Sequence, residues 1–252
     1  TIDNRSSGYL TKLTAEEGNF VWGKATALPP WDVGILANGN VIAGNAISSG
    51  GWYRPQIWSA VDGSVVLSYV SQRGVSDHYR MLVVEDIDYW FSVGSAMGGG
   101  TSHGLCQGWN TTTDSGWDFD PWSGTGAARG VCYKNGSIYI VTDRKLYDGN
   151  YVTIFKLNAL TGAVETTADS VDVFQECVIN YLGQIVGIHN TGTTGRWHIY
   201  GDELNELATY DAPGGAGATW RLEQIPDAIL YGDYDWGATV INIPEEWFTA
   251  ME

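Results

Sequence analysis

The sequence predicts an all-β chain made of one four-stranded unit used over and over. Three observations predict it: a composition suited to strands and turns, a pair of hairpins that recurs along the chain, and glycine or asparagine at the hairpin turns. Glycine is 33 of 252 residues, nearly twice the usual ~7%, and charged residues are 17% where ~25% is ordinary. Twelve Trp and fourteen Tyr stand beside six Phe. Aromatic-rich, glycine-rich chains favour short strands over helices, which want Ala, Leu, Glu and Lys. An apolar content of 44% suffices for a large core.

Charge narrows the partners. Thirteen basic against 29 acidic residues give a net charge of −16, which repels phosphate backbones and anionic lipid; no nucleic-acid partner and no membrane insertion are expected. No apolar run approaches the ~18 residues of a membrane span. Residues 1–8 lack the charged and apolar regions of a secretory signal. Cys106, Cys132 and Cys177 are odd in number and lack metal-ligand spacing, so buried reduced thiols are expected.

The elements follow in order. An outer hairpin recurs at 9–22, 56–67, 107–117, 152–164 and 197–207, with Gly18, Gly63, Gly116, Gly162 and Asn205 at the predicted turns. Successive turn residues are 45, 53, 46 and 43 positions apart. An inner hairpin lies between them at 35–44, 81–94, 131–140, 178–187 and 222–232. Asn38-Gly39 and Asn135-Gly136 within it are strong two-strand signals, because the turn needs residues that accept a positive φ. Two hairpins per 43 to 53 residues is the period of a β-propeller.

A single β-propeller domain over residues 1–252 is therefore expected, with five blades of four antiparallel strands; the length also admits six. The N- and C-terminal strands are expected to close the ring, residues 9–25 completing a last blade whose inner pair is 220–233. That leaves residues 238–243 competing with 9–14 for one place. They either pair on the last blade or dock on another subunit.

The strand, the turn Asn158-Ala159-Leu160-Thr161-Gly162, the strand after it and the Asn-Gly hairpin together resemble the quinoprotein-type (PQQ-like) repeat, a relative of WD40 propellers. The typical Trp of the repeat's second strand is present as Trp22 and replaced by Leu67 and Glu165. The resemblance implies the fold. Quinone- and calcium-binding residues of quinoprotein dehydrogenases have no match, so no cofactor is expected.

Candidate site residues come from aligning the inner strands on their turns. Seven positions before Gly39, Gly136 and Gly183 stand Asp32, Arg129 and Glu176, and the same offset before Ile87 and Ala228 gives Arg80 and Arg221. Trp31 and Trp220 directly precede two of these charges. A ring of salt bridges between blades is one reading, pairing Asp32 with Arg80, Arg129 with Glu176, and Arg221 with both acids. A binding mouth is the other, in which Arg80 and Arg129 hold a carboxylate, sulfate or sugar acid. The enzymatic alternative is a glycoside hydrolase or lyase with Asp32 and Glu176 as its carboxylates.

Other features are weaker. His78, His103, His189 and His198 stand singly in the sequence. Acidic segments at 114–122 and 233–237 supply Asp-x-Asp pairs that calcium accepts but that turns also use; no metal site is assigned. Trp52, Tyr53, Trp109, Trp117 and Trp122 suit either stacking on sugars or wedging blades apart. The functional expectation is a non-catalytic binding or assembly module. Its glycine-, asparagine- and tryptophan-rich, lysine-poor style resembles bacteriophage virion and extracellular bacterial proteins. A phage tail or decoration component at a virion or extracellular surface is expected, with virion proteins, host glycans or a second copy of the chain as partners.

Overall fold

The computed structural model describes residues 8–26, 30–45, 55–68, 77–96, 106–113, 115–121, 126–170, 172–180, 182–190, 195–211, 221–225, 228–232 and 238–241. They fall into two compact units, Thr1–Ala127 and Ala128–Glu252. In the first, β1 (Gly8–Leu13) and β2 (Phe20–Thr26) form a two-stranded antiparallel sheet. A four-stranded sheet follows in chain order: β3 (Pro30–Ile35), β4 (Val41–Asn45), β5 (Gln56–Trp58) and β6 (Val65–Ser68). The next comprises β7 (Asp77–Val84), β8 (Tyr89–Ala96), β9 (Cys106–Asn110) and β10 (Ser115–Phe119).

The second unit repeats the plan. Its strands are β11 (Gly126–Lys134), β12 (Ser137–Tyr147), β13 (Asn150–Asn158) and β14 (Val164–Ala168), then the sheet of β15 (Phe174–Ile179), β16 (Ile185–Asn190), β17 (Gly195–Tyr200) and β18 (Glu206–Asp211). The first two residues of β11, Gly126 and Ala127, belong to the first unit and pair with Ala96 and Ser95 of β8. A three-stranded sheet of β19 (Arg221–Ile225), β20 (Ala228–Gly232) and β21 (Ala238–Ile241) ends the described chain. The contested place beside β20 goes to β21, with Ile229 opposite Ile241 and Gly232 opposite Ala238. Pairing within the chain is thus the outcome for residues 238–241.

Neighbouring sheets pack face to face. Leu36, Ile42 and Ile57 of the β3–β6 sheet meet Met81 and Trp90 of the next. The opposite face, with Val41, Ala43 and Trp58, is covered by Leu10 and Trp22 of β1–β2. Trp22 and Lys12 both donate to the Ala60 carbonyl, at 3.1 and 2.7 Å, tying β1–β2 to the turn between β5 and β6. In the second unit Cys132, Tyr139, Val141 and Ile154 pack on Phe174, Cys177, Ile185 and Tyr200. All three cysteines are buried free thiols. No helix among the described residues is long and apolar enough to cross a membrane.

Most expected turns are as read. Gly18, Gly39, Gly63, Gly136, Gly162 and Gly183 all have φ between 66° and 85°. Three assignments are corrected. Gly116 lies inside β10, opposite Trp109; a Cβ there would come within 2.6 Å of the Trp109 ring, so close packing, not a turn, requires glycine. At the expected Asn205 turn the left-handed residue is Leu204, φ 59°. At the β7–β8 turn it is Asp88, φ 57°, and not Ile87.

Candidate functional site: a bulge and the charge that follows it

Four innermost strands carry a β-bulge at the same place. The register shifts between Pro30 and Asp32, His78 and Arg80, Ala128 and Gly130, and Phe174 and Glu176. The inserted residues are therefore Trp31, Tyr79, Arg129 and Gln175. A bulge bends its strand and re-aims side chains, and such kinks recur at functional edges.

The residue after each bulge occupies one shared position: Asp32, Arg80, Gly130 and Glu176, with Arg221 at the matching place on β19. This corrects Arg129, which stands one residue earlier, at the bulge. Turn length is the reason. Asn135 and Gly136, with φ of 50° and 85°, make a two-residue turn between Lys134 and Ser137; Leu36 reaches its partner Asn40 across one residue more. Counting back a fixed number from the glycine overshoots by one in the shorter turn.

Two of the expected charges sit in the core. Asp32 is 5% exposed, and its Oδ2 accepts the Met81 backbone N–H at 2.8 Å and the Arg80 guanidinium at 3.5 Å. A buried carboxylate is tolerated only with such donors. The expected Asp32–Arg80 pair is present. Glu176 is 2% exposed, its Oε1 accepting the Cys177 N–H at 3.1 Å. Arg129 lies 3.8 Å from Asp143 of the adjoining strand β12. The side chain of Arg221, and Trp220 altogether, lie outside the described residues. Asp32 and Glu176 are thus both buried carboxyls, each with a backbone N–H as hydrogen-bond donor.

Trp31 differs. The bulge leaves it 51% exposed, its ring 5.2 Å from that of Tyr79 at a 38° tilt. Trp109 and Trp117 pack partly buried in the β7–β10 sheet, Trp117 lying 6.0 Å from Phe91, while Trp52, Tyr53 and Trp122 fall outside the described residues.

Sequence reading missed one constellation. His198 is buried with Nε2 3.0 Å from Asp172 and Nδ1 3.2 Å from Glu206. His189 reaches the same Asp172 at 3.6 Å and the Val173 carbonyl at 2.7 Å through Nδ1. Arg196 lies 3.4 Å from Asp172 and 3.5 Å from Asp211. Burial pushes the Glu206 carboxyl up, but hydrogen bonds from Thr209 and His198 outweigh it and hold it below its ordinary range. The available signal was the alternation of Arg196, His198 and Tyr200 on one face of β17. Its partners come from β16, β18 and the segment before β15, which no local pattern connects. Among the described residues, no group of His, Cys, Asp or Glu has metal-holding geometry.

No family model matches the chain, and no curated protein matches it in sequence. Solved structures do. The WD40 β-propeller domain of Doa1 is similar with a TM-score of 0.59 at 13% identity, covering 94% of this chain and 73% of its own. The WD40 domain of Neurospora crassa Pan2 is similar with a TM-score of 0.59 at 10% identity, covering 90% and 67%. BamB from Moraxella catarrhalis is similar with a TM-score of 0.50 at 15% identity, covering 94% and 79%.

Proposed function

The fold is a WD40/PQQ-like β-propeller, and we propose that it serves as a non-catalytic binding or assembly module whose contact point in the first unit is Trp31 with Tyr79 and Arg80. One observation carries the reading: a tryptophan re-aimed by a bulge stands half in solvent against a tyrosine, beside an arginine oriented by a buried aspartate. Trp, Tyr and Arg are the residues that dominate binding energy at protein contacts, and an exposed aromatic face also stacks on sugar rings. Val33 and Ile35 of the same strand are exposed too, so the contact has an apolar floor. The setting we propose is a virion or extracellular surface, with a virion protein or host glycan as partner; the glycine-rich, lysine-poor composition supports it.

A glycan array and a binding assay against candidate virion proteins, each run with wild-type and Trp31→Ala protein, test the reading. Binding that falls at least about tenfold in the variant, at unchanged melting temperature, is expected. Binding indifferent to Trp31 overturns the site. Cleavage of a bound oligosaccharide that Glu176→Gln abolishes overturns the non-catalytic assignment.

A further inference from the structure

A second surface of the first unit has the chemistry of a cation subsite. A cleft of about 300 Å³ opens beside β6, walled on one side by Leu36, Ile57, Val66 and Leu67, with Asp88 among its other lining residues. Asp88 is held firmly. Its left-handed backbone closes the β7–β8 turn by donating to the Glu85 carbonyl at 3.0 Å. Its own carbonyl accepts the Thr111 N–H at 2.9 Å. Its two carboxylate oxygens accept the Thr111 and Thr112 hydroxyls, which keep the carboxyl below its ordinary range.

Two threonine hydroxyls leave lone pairs on that anion, and no ion pair to Asp88 is made by a lysine or arginine among the described residues. Glu85 and Asp86, both exposed, add negative charge to the same turn.

Outermost strands differ in charge. β21, Ala238–Ile241, carries none, while β10, β14 and β18 carry Asp118, Glu165, and Glu206 with Asp211. Such charges discourage edge-to-edge pairing. The sequence of β6 is Val65-Val66-Leu67-Ser68, without charge. Val65 and Val66 are 47% and 56% exposed, and among the described residues β6 pairs with β5 alone. An uncharged, β-branched edge with no described partner beyond β5 is a template for an added strand.

We propose that an extended partner peptide adds to the β6 edge and places a lysine or arginine side chain in this cleft. The methylene stem lies along Leu36, Ile57 and Leu67 and the charged head meets Asp88, which is how long basic side chains divide themselves between apolar and polar surroundings. A net charge of −16 steers such a partner in. This goes beyond the Trp31 reading and does not depend on it.

The test uses the whole chain and a blocked synthetic peptide of alternating valine and lysine, titrated by calorimetry. A second peptide has norleucine in place of lysine, and N-acetyl-lysine amide stands for the side chain alone. Asp88→Asn keeps a residue that tolerates the left-handed conformation and removes the charge. Affinity should fall about tenfold or more with that variant and with the norleucine peptide. Asp211→Asn, an equal change in net charge on an exposed strand, should leave affinity within about twofold. Val66→Lys, which puts a cation of the chain's own at the cleft, should abolish binding. Equal losses from Asp88→Asn and Asp211→Asn mean attraction by net charge only and overturn the subsite, as does full affinity in Asp88→Asn. If the amide binds as tightly as the peptide and Val66→Lys changes nothing, strand addition is overturned.

Discussion

The junction between β3 and β7 and the junction between β11 and β15 solve one problem in opposite ways. Each buries an acid at the position after the bulge. At the first, the acid belongs to the earlier strand: Asp32 reaches forward to the Met81 N–H and the Arg80 guanidinium. At the second it belongs to the later strand: Glu176 bonds the next N–H along its own strand, and the earlier strand yields space by having Gly130, where a Cβ would meet Glu176 Oε1 at 2.6 Å and the Cys177 nitrogen at 2.5 Å. At the first junction a hydrogen bond is donated across strands; at the second, a glycine lets the neighbouring carboxylate and backbone approach closely. A buried carboxylate requires donors or room, and repeated architecture does not dictate which.

The comparison can be broken by substitution. Gly130→Val pushes two methyls toward backbone that cannot retreat, and a loss of about 3 kcal/mol or more is expected in urea unfolding. A variant as stable as wild type would mean that Glu176 does not sit against Gly130. Asp32→Ala removes the acceptor of the Met81 N–H and one ion-pair contact of Arg80, with an expected cost of about 2 kcal/mol. Asp32→Asn retains an acceptor and should cost less; equal losses would show that the hydrogen bond to Met81 contributes nothing.

Smaller effects sharpen it. The two junctions differ in the turn beyond them, so Gly39→Val, Gly136→Val and Gly183→Val should each lose about 1–2 kcal/mol through forced positive φ. Unchanged melting temperatures in all three would remove the turn assignment. The smallest effect concerns an acid that is neither buried nor crossed by a neighbouring strand. Glu206 titrates below its ordinary range in the folded chain, so its contribution is present above the unfolded carboxyl's value near 4.5. It is lost as pH falls through the lower folded value. Glu206→Gln should therefore flatten the acid side of the stability profile below about pH 4.5. A profile identical to wild type there would show that His198 and Thr209 do not hold that carboxylate.

Much of the fold was legible because hairpins are local. Positive φ at Gly39 and Gly136 follows from short-range backbone sterics, and alternation along a strand states which residues share a face. Arg129 was misplaced by one residue because the turn beyond it is one residue shorter than the turn between Leu36 and Asn40, and the glycine alone does not reveal turn length. Gly116 and Asn205 were misread for a related reason: glycine serves close packing as readily as turns, and a left-handed residue can be Leu204 once its neighbours demand it.

Composition, spacing and turn chemistry were enough to establish an all-β repeat with inner and outer hairpins and a charged place on the innermost strand. How that charge is buried and which donors meet it depended on contacts such as that of Asp32 with Met81, 49 residues apart. The gathering of Asp172, His189, His198 and Glu206, the open cleft beside Asp88 and the exposure of Trp31 depended on such contacts too. Hydrogen bonds within a hairpin are set by neighbours in the chain. Those between strands of different sheets form only once the sheets have packed, and their energy depends on what that packing excludes from water.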